Sequence, residues 1–325
     1  MKPKRYFISG GAGFIGAHLA NRLLEDSSAE VVVYDNFSNG RRWAFGERIN
    51  DKRLSIIEAD VSDLEELAAA MTACNVVYHL AANSDIARAA NEPAVDFWNG
   101  HYLTQNVLEA MRQTECKRIL FSSGSGVYGD VPPIPLPENY DHCIPISTYG
   151  ASKLASEALI SAYCHLFGIR GTALRFANVV GPHQTHGVAY DFIRRLLKDK
   201  TRLLIYGDGR QSKPYIYISD VLDAFQLVEH KQETPFDVFN VGTMDYLTVT
   251  EIAEIVASKM DVGGASFDYT GGERGWKADV PIYRLKTDKI RSLGWCNKKN
   301  SRQAVEASVA AMLEDARDGK IKPAA

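Results

Sequence analysis

Gly10-Gly11-Ala12-Gly13-Phe14-Ile15-Gly16 decides the fold. The stretch follows a short apolar run, Arg5–Ser9, and opens an amphipathic one, Phe14–Glu25. Gly10, Gly13 and Gly16 fall three apart, which permits a tight strand-to-helix turn. Free N–H groups at the head of a helix can then meet a pyrophosphate. A second apolar run ends in Val33-Tyr34-Asp35, placing Asp35 19 residues beyond Gly16. An acid there accepts both hydroxyls of an adenosine ribose and repels a 2′-phosphate, which favours NAD over NADP.

Outward from this turn the pattern repeats. Leu54–Ala59, Val76–Leu80, Arg118–Ser122 and Arg170–Arg175 read as strands buried on both faces, because each is a continuous apolar run. Leu64–Thr72, Pro93–Arg112 and Thr148–Phe167 read as helices between them, the first capped by Ser62 with Glu65 three residues on. Strand–helix alternation of this kind predicts a doubly wound α/β sheet. After residue 177 the rhythm loosens. Helices are expected at Val188–Leu197, Ser219–His230, Thr248–Met260 and Ser301–Asp318, and strands at Arg202–Tyr206, Tyr215–Ile218, Val238–Val241 and Ser266–Tyr269. Gly181–Gly187, Gly207–Lys213 and Gly271–Pro281 read as loops able to close over a ligand. Ligands of open α/β sheets lie at the carboxyl ends of the strands, which singles out Asp60-Val61 and Leu80-Ala81-Ala82.

Tyr149 and Lys153 are the candidate chemistry. At i and i+4 they share one helix face. A free phenol, with a pKa of about 10, is a poor base at neutral pH. An ammonium one turn away favours the phenolate, which can then take a hydroxyl proton while hydride leaves the same carbon.

Composition excludes other classes. A net charge of -3 over 325 residues gives no global attraction for nucleic acid or anionic membranes. No run approaches the ~18 apolar residues of a membrane span. The five cysteines are scattered without a CxxC, as expected of thiols in the cytoplasm. His183-Gln184-Thr185-His186 lacks companion ligands, so no metal is expected.

Together these residues resemble the extended short-chain dehydrogenase/reductase superfamily, in its NAD-dependent epimerase/dehydratase branch, most of all the UDP-glucose (UDP-galactose) 4-epimerase type. The landmarks are the glycine stretch, Tyr34-Asp35-Asn36, His79-Leu80-Ala81-Ala82, Val127-Tyr128-Gly129, Tyr149–Lys153, the run from Arg175 to Pro182, and the run from Tyr215 to Asp220. The resemblance implies a Rossmann-type NAD-binding domain over 1–177 plus about 212–242. It implies a smaller α/β nucleotide-sugar domain over about 178–211 plus 243–325. It implies that Gly10, Gly13, Phe14, Ile15, Gly16, Asp35, Asn36, Ser38, Asp60, Val61, Leu80, Ala81, Ala82, Asn99, Ser122, Tyr149, Lys153 and Phe176 serve the cofactor. Asn178, Val188, Tyr206, Lys213, Arg274 and Asp279 would serve the UDP-sugar. A homodimer formed through the helices near Pro93–Arg112 and Thr148–Phe167 is also implied.

Two departures from the branch matter. Where it usually carries Ser or Thr, three residues before Val127, this chain has Gly124; Ser123, Ser125 or a water would take its place. Where an arginine usually stands before Tyr215, this chain has Lys213, which keeps the charge but loses the fork. Ser125 and Gly126 occupy the positions of the acidic pair used in dehydratases, which argues against 4,6-elimination. The expected activity is therefore inversion at C4 of a UDP-hexose through a 4-keto sugar. Another nucleotide-sugar epimerase, such as a 2-epimerase, or a 4-ketoreductase is the alternative. A non-catalytic NAD-binding protein is the remote one.

Overall fold

In the computed structural model, which describes residues 3–324, the chain begins with β1 (Lys4–Ser9), α1 (Phe14–Leu23), β2 (Ala29–Asp35), β3 (Leu54–Glu58), α2 (Leu64–Met71) and β4 (Val76–His79). It continues through α3 (Tyr102–Thr114), β5 (Arg118–Gly124), β6 (Pro135–Leu136), α4 (Thr148–Phe167), β7 (Arg170–Phe176) and β8 (Asn178–Val180). Then come α5 (Val188–Lys198), β9 (Arg202–Ile205), β10 (Ser212–Lys213), β11 (Tyr215–Tyr217), α6 (Ile218–Lys231) and β12 (Phe236–Val241). The last elements are β13 (Leu247–Thr248), α7 (Val249–Lys259), β14 (Ser266–Tyr269), β15 (Arg284–Leu285), α8 (Asp288–Ser292) and α9 (Ser301–Arg317).

Seven strands form one sheet in the order β12-β7-β5-β4-β1-β2-β3. β1 pairs in parallel with β2 on one side and with β4 on the other. The winding therefore reverses between β1 and β4, the position where ligands bind on such sheets. Continuous burial follows from helices on both faces: Phe7, Val32, Val77, Ile119 and Phe121 are at most 2% exposed and pack with Val107, Met111 and Ile160 of the covering helices.

Contacts within the chain define two units. The first comprises the chain up to Val127, Thr148–Arg175 and Leu222–Phe239; the second comprises Tyr128–Ser147, Phe176–Val221 and the chain from Asn240 on. These boundaries differ from the sequence expectation, which kept residues 128–147 and 212–221 with the cofactor domain. Backbone pairing explains the difference. β6 pairs with β15, and β11 pairs with β8. Asn240 also donates to the carbonyls of Leu136 and Lys286 and accepts from the Tyr128 hydroxyl at 2.8 Å. The second unit has its own core, in which Ile193 and Leu196 of α5, Leu203 of β9, Val256 of α7 and Val309 of α9 are fully buried. Capping boxes start α7, from Thr248 and Glu251, and α9, from Asn300 and Gln303.

Two local expectations are corrected. The cap of α2 is Asp63, whose side chain accepts from Glu66 N, and not Ser62. Ser62 is otherwise engaged, its N–H on Asp60 and its carbonyl on Asn106. The helix expected from Pro93 is broken: a wide π-type turn spans Phe97–His101, with Asn99 outside helical geometry, before α3 begins at Tyr102. The Asn99 carbonyl accepts from Asn83 N at 2.9 Å. Among the described residues no helix is long and apolar enough to cross a membrane.

Candidate active site

The glycine turn is built by close approach. Gly10 has φ +69°, and a side chain there would place its Cβ 2.6 Å from the backbone nitrogen of Ala81. The turn after β1 and the turn after β4 thus touch at the reversal of the sheet. A Cβ on Gly16 would lie 2.5 Å from the Gly10 carbonyl. Gly13 precedes α1 in extended geometry and offers no side-chain cap, so the first turn of the helix keeps N–H groups for a ligand. A cradle that any Cβ would fill, ending at an uncapped helix, fits a dinucleotide pyrophosphate.

Asp35 closes this cradle. It is 7% exposed; one carboxylate oxygen accepts from Ala12 N at 2.9 Å and the other from Phe37 N at 2.8 Å. Burial raises its pKa, against the pull of those backbone donors. The backbone N–H of Gly13 also bonds it, and the carboxylate keeps acceptor capacity for a ribose hydroxyl. Asp60, at the end of the third strand, is exposed; it accepts from Asn36 Nδ2 at 2.8 Å and Ser62 N at 2.9 Å. Burial works upward on its carboxyl, but the Ser62 and Asn36 hydrogen bonds outweigh it and hold the pKa low. Ser38 is exposed, and its N–H donates to Asn36. Val61 and Phe176 are buried; Leu80, Ala81 and Ala82 are half-buried; Asn99 is exposed in the π-type turn.

Tyr149 and Lys153 lie on the first turns of α4. Lys153 is buried, donates to the Ser122 carbonyl at 2.6 Å and stands 5.6 Å from the centre of the Tyr149 ring. The structure reverses the expected shift of the phenol. Burial pushes Tyr149 up to about 12, and the charge of Asp96 adds to it. Burial pulls Lys153 down to about 8, partly offset by Glu157 and Asp96. The ammonium is turned to Ser122, and the loss of water around the phenolate dominates. At neutral pH Lys153 still carries its proton.

Three residues to which sequence reading gave no role hold this pair. Asp96, 1% exposed, accepts from Thr148 Oγ1 at 2.6 Å and from Asn83 Nδ2 at 2.9 Å, which ties down the start of α4. Glu157, one turn beyond Lys153, accepts from the Ser123 hydroxyl and from both Nε (3.0 Å) and Nη2 (2.7 Å) of Arg175. His79 lies between Ser9 Oγ at 2.7 Å and Thr104 Oγ1 at 3.0 Å, and Thr104 in turn contacts Ser156 on α4. Glu157 carried one readable signal, its i+4 spacing from Lys153. Asp96, more than fifty residues before α4, carried none.

In the second unit the expected ligand residues form an ion-pair cluster. Lys213 Nζ meets Asp279 Oδ1 at 2.6 Å, and Asp279 is 3% exposed. Arg274 pairs with Asp130 and donates to the Asp279 carbonyl, while Gly275 N donates to Asp279 Oδ2. Both cations are thus neutralised by protein carboxylates. Tyr206 is exposed, with the Arg195 guanidinium 4.4 Å from its ring centre. Asn178 opens β8, and Val188 heads α5, where Gly187 supplies no side-chain cap.

Residues 6–242 match the model of the NAD dependent epimerase/dehydratase family. The UDP-glucose 4-epimerase of Mycolicibacterium smegmatis is 34% identical over 228 residues, 68% of this chain and 72% of that one. A crystal structure of a UDP-galactose 4-epimerase superposes with a TM-score of 0.84 at 36% identity, covering 96% of this chain and 99% of that one. The NAD complex of Thermus thermophilus UDP-glucose 4-epimerase superposes with a TM-score of 0.83 at 29% identity, covering 95% and 99%.

Proposed function

The chain belongs to the NAD-dependent epimerase/dehydratase family and is an NAD-dependent nucleotide-sugar epimerase; from that premise we propose that it inverts C4 of a UDP-hexose. The observation that carries this reading is the Tyr149–Lys153 pair. It stands beside the end of β5, in the unit whose uncapped glycine turn suits a dinucleotide. Bound NAD supplies a hydride acceptor and later the hydride donor, so the cycle consumes no oxidant.

The protein's own share is proton transfer and positioning. Gly10, Gly13, Phe14, Ile15 and Gly16 would hold the pyrophosphate, and Asp35 and Asn36 the adenosine ribose. Asp60 and Val61 would border the adenine. Leu80, Ala81, Ala82, Asn99, Ser122 and Phe176 would line the rest of the cofactor. Once the positive charge of bound NAD offsets the burial that raises it, Tyr149 would remove the proton of the 4-hydroxyl as C4 is oxidised to the 4-keto sugar. After hydride returns to the opposite face, Tyr149 gives its proton to the C4 oxygen. Lys153, protonated at neutral pH, would hold positive charge near the Tyr149 ring.

In the second unit, Asn178, Val188, Tyr206, Lys213, Arg274 and Asp279 would bind the nucleotide portion. Arg274 would exchange the exposed Asp130 for diphosphate oxygens, charge meeting charge, while Lys213 would reach them without leaving the buried Asp279. The exposed aromatic pair Phe97 and Trp98, with Leu166 on α4, supports a homodimer through this region. Five free cysteines, three of them buried, suit the cytoplasm.

The test is incubation with UDP-glucose, UDP-galactose, and their N-acetyl and uronic acid forms, with products separated by chromatography. One pair equilibrating without added NAD turnover is the expected result. Folded, NAD-loaded protein that interconverts none of them would overturn the reading.

A further inference from the structure

We propose that Ser125, and not Ser123, is the hydroxyl that works beside Tyr149 on the reacting sugar oxygen; the inference rests on the epimerase reading above. Three hydroxyls on α4 and on the neighbouring end of β5 are accounted for by the protein itself. Thr148 donates to Asp96. Ser122 donates to the His79 carbonyl at 3.3 Å and is 8% exposed. Ser123 is 4% exposed and donates to Glu157, whose carboxylate is clamped by the buried Arg175. That hydroxyl proton points into the protein, toward a fixed negative charge. Ser152 lies instead against the turn before α3, where a Cβ on Gly100 would lie 2.4 Å from its oxygen.

Ser125 is different. It is half-buried, and its hydroxyl makes no hydrogen bond to any described residue. It starts the 3-10 turn Ser125–Tyr128, which runs beside the head of α4. A Cβ on the adjacent Gly126 would come within 3.6 Å of Gly150 Cα and 3.9 Å of Tyr149 Cδ1. On its other side, a Cβ on Gly124 would meet nothing within 4 Å. The free hydroxyl is therefore flanked by one residue against the ring of the base and another that faces open space. A hydroxyl so placed can accept from, or donate to, the sugar oxygen as its proton passes to Tyr149, without disturbing a buried ion pair. Ser123 instead is a positioning residue that locks β5 to α4.

The experiment compares Ser125→Ala, Ser123→Ala and the double variant Gly124→Ser/Ser125→Ala in the NAD-loaded full chain. Steady-state kinetics is measured on the sugar pair that the wild type interconverts, together with thermal unfolding. Ser125→Ala is expected to lower kcat by about 10- to 100-fold, the worth of one hydrogen bond to a developing charge, with little change in KM or Tm. Ser123→Ala is expected to act mainly on Tm, with a smaller loss of kcat. Gly124→Ser, entering open space, should restore much of the activity lost in Ser125→Ala. Loss of kcat in Ser123→Ala, with Ser125→Ala at wild-type rate, overturns the assignment. Failure of the wild type itself on every UDP-sugar overturns the functional reading, and the serine's role with it.

Discussion

Lys153 donates its ammonium proton to the carbonyl oxygen of Ser122 at 2.6 Å. The contact fixes the cation of α4 to the end of β5, with the ring centre of Tyr149 5.6 Å from it. Tyr149→Phe removes the base while keeping the ring. It should lower kcat by about 10²- to 10⁴-fold, the usual worth of a positioned acid–base group, with cofactor content unchanged by absorbance. A variant that keeps its rate would deny the phenol any part in the chemistry.

Asp96 raises the pKa of both members of the pair. Asp96→Asn removes that charge, so Tyr149 should ionise at lower pH and Lys153 should lose its proton at lower pH as well. Both limbs of the kcat/KM profile should move toward acid. A profile that stays in place, or moves toward alkali, refutes the coupling.

His79 is fully buried, and burial, with the Lys153 charge adding, holds its pKa down to about 3. In the unfolded chain the same imidazole titrates near 6.5. Between these values the unfolded state binds a proton that the folded state refuses. The contribution of His79 to stability is therefore complete above about 6.5 and falls as pH drops toward 3, by up to about 1.4 kcal/mol per pH unit. Urea unfolding at pH 7 and pH 5 should show the loss, and His79→Gln should flatten the slope. An equal slope in wild type and variant would remove His79 as its source.

Arg175 and Glu157 form an ion pair whose side chains are 6% and 5% exposed. Glu157→Gln leaves the guanidinium buried without its counter-charge and should cost about 3–5 kcal/mol, read as a drop in Tm. Replacing both residues with apolar ones of similar volume should recover most of the loss. A double variant no more stable than Glu157→Gln would show that the pair acts through more than its charge.

Asp35→Asn removes the negative charge and keeps only one of the two oxygens that accept from Ala12 N and Phe37 N. NAD affinity, followed by fluorescence titration, should weaken by about 10- to 100-fold, the scale of losing hydrogen bonds to an ionised acceptor. The preference against NADP should narrow at the same time. Equal discrimination in wild type and variant would mean that the charge does not choose the cofactor.

Much of this was legible along the chain. The glycine spacing, the acid ending the second strand, the apolar runs and the Tyr149–Lys153 helix face are local patterns. They depend on backbone geometry with periods of two to four residues, and a sequence displays those directly. The sequence alone therefore determined the doubly wound sheet, the kind of cofactor and the identity of the candidate base. Only the tertiary structure decided the rest. It brought Asp96 to Thr148, Arg175 to Glu157 and the turn after β4 against Gly10. It moved residues 128–147 into the second unit through the pairing of β6 with β15. It turned Ser123 inward and left the Ser125 hydroxyl without a partner among the described residues. It also raised the phenol that the i+4 spacing was expected to acidify. The reason is common to all of these. Burial and long-range charge depend on which distant segments pack together, and water removed from a side chain leaves no mark on its neighbours in sequence.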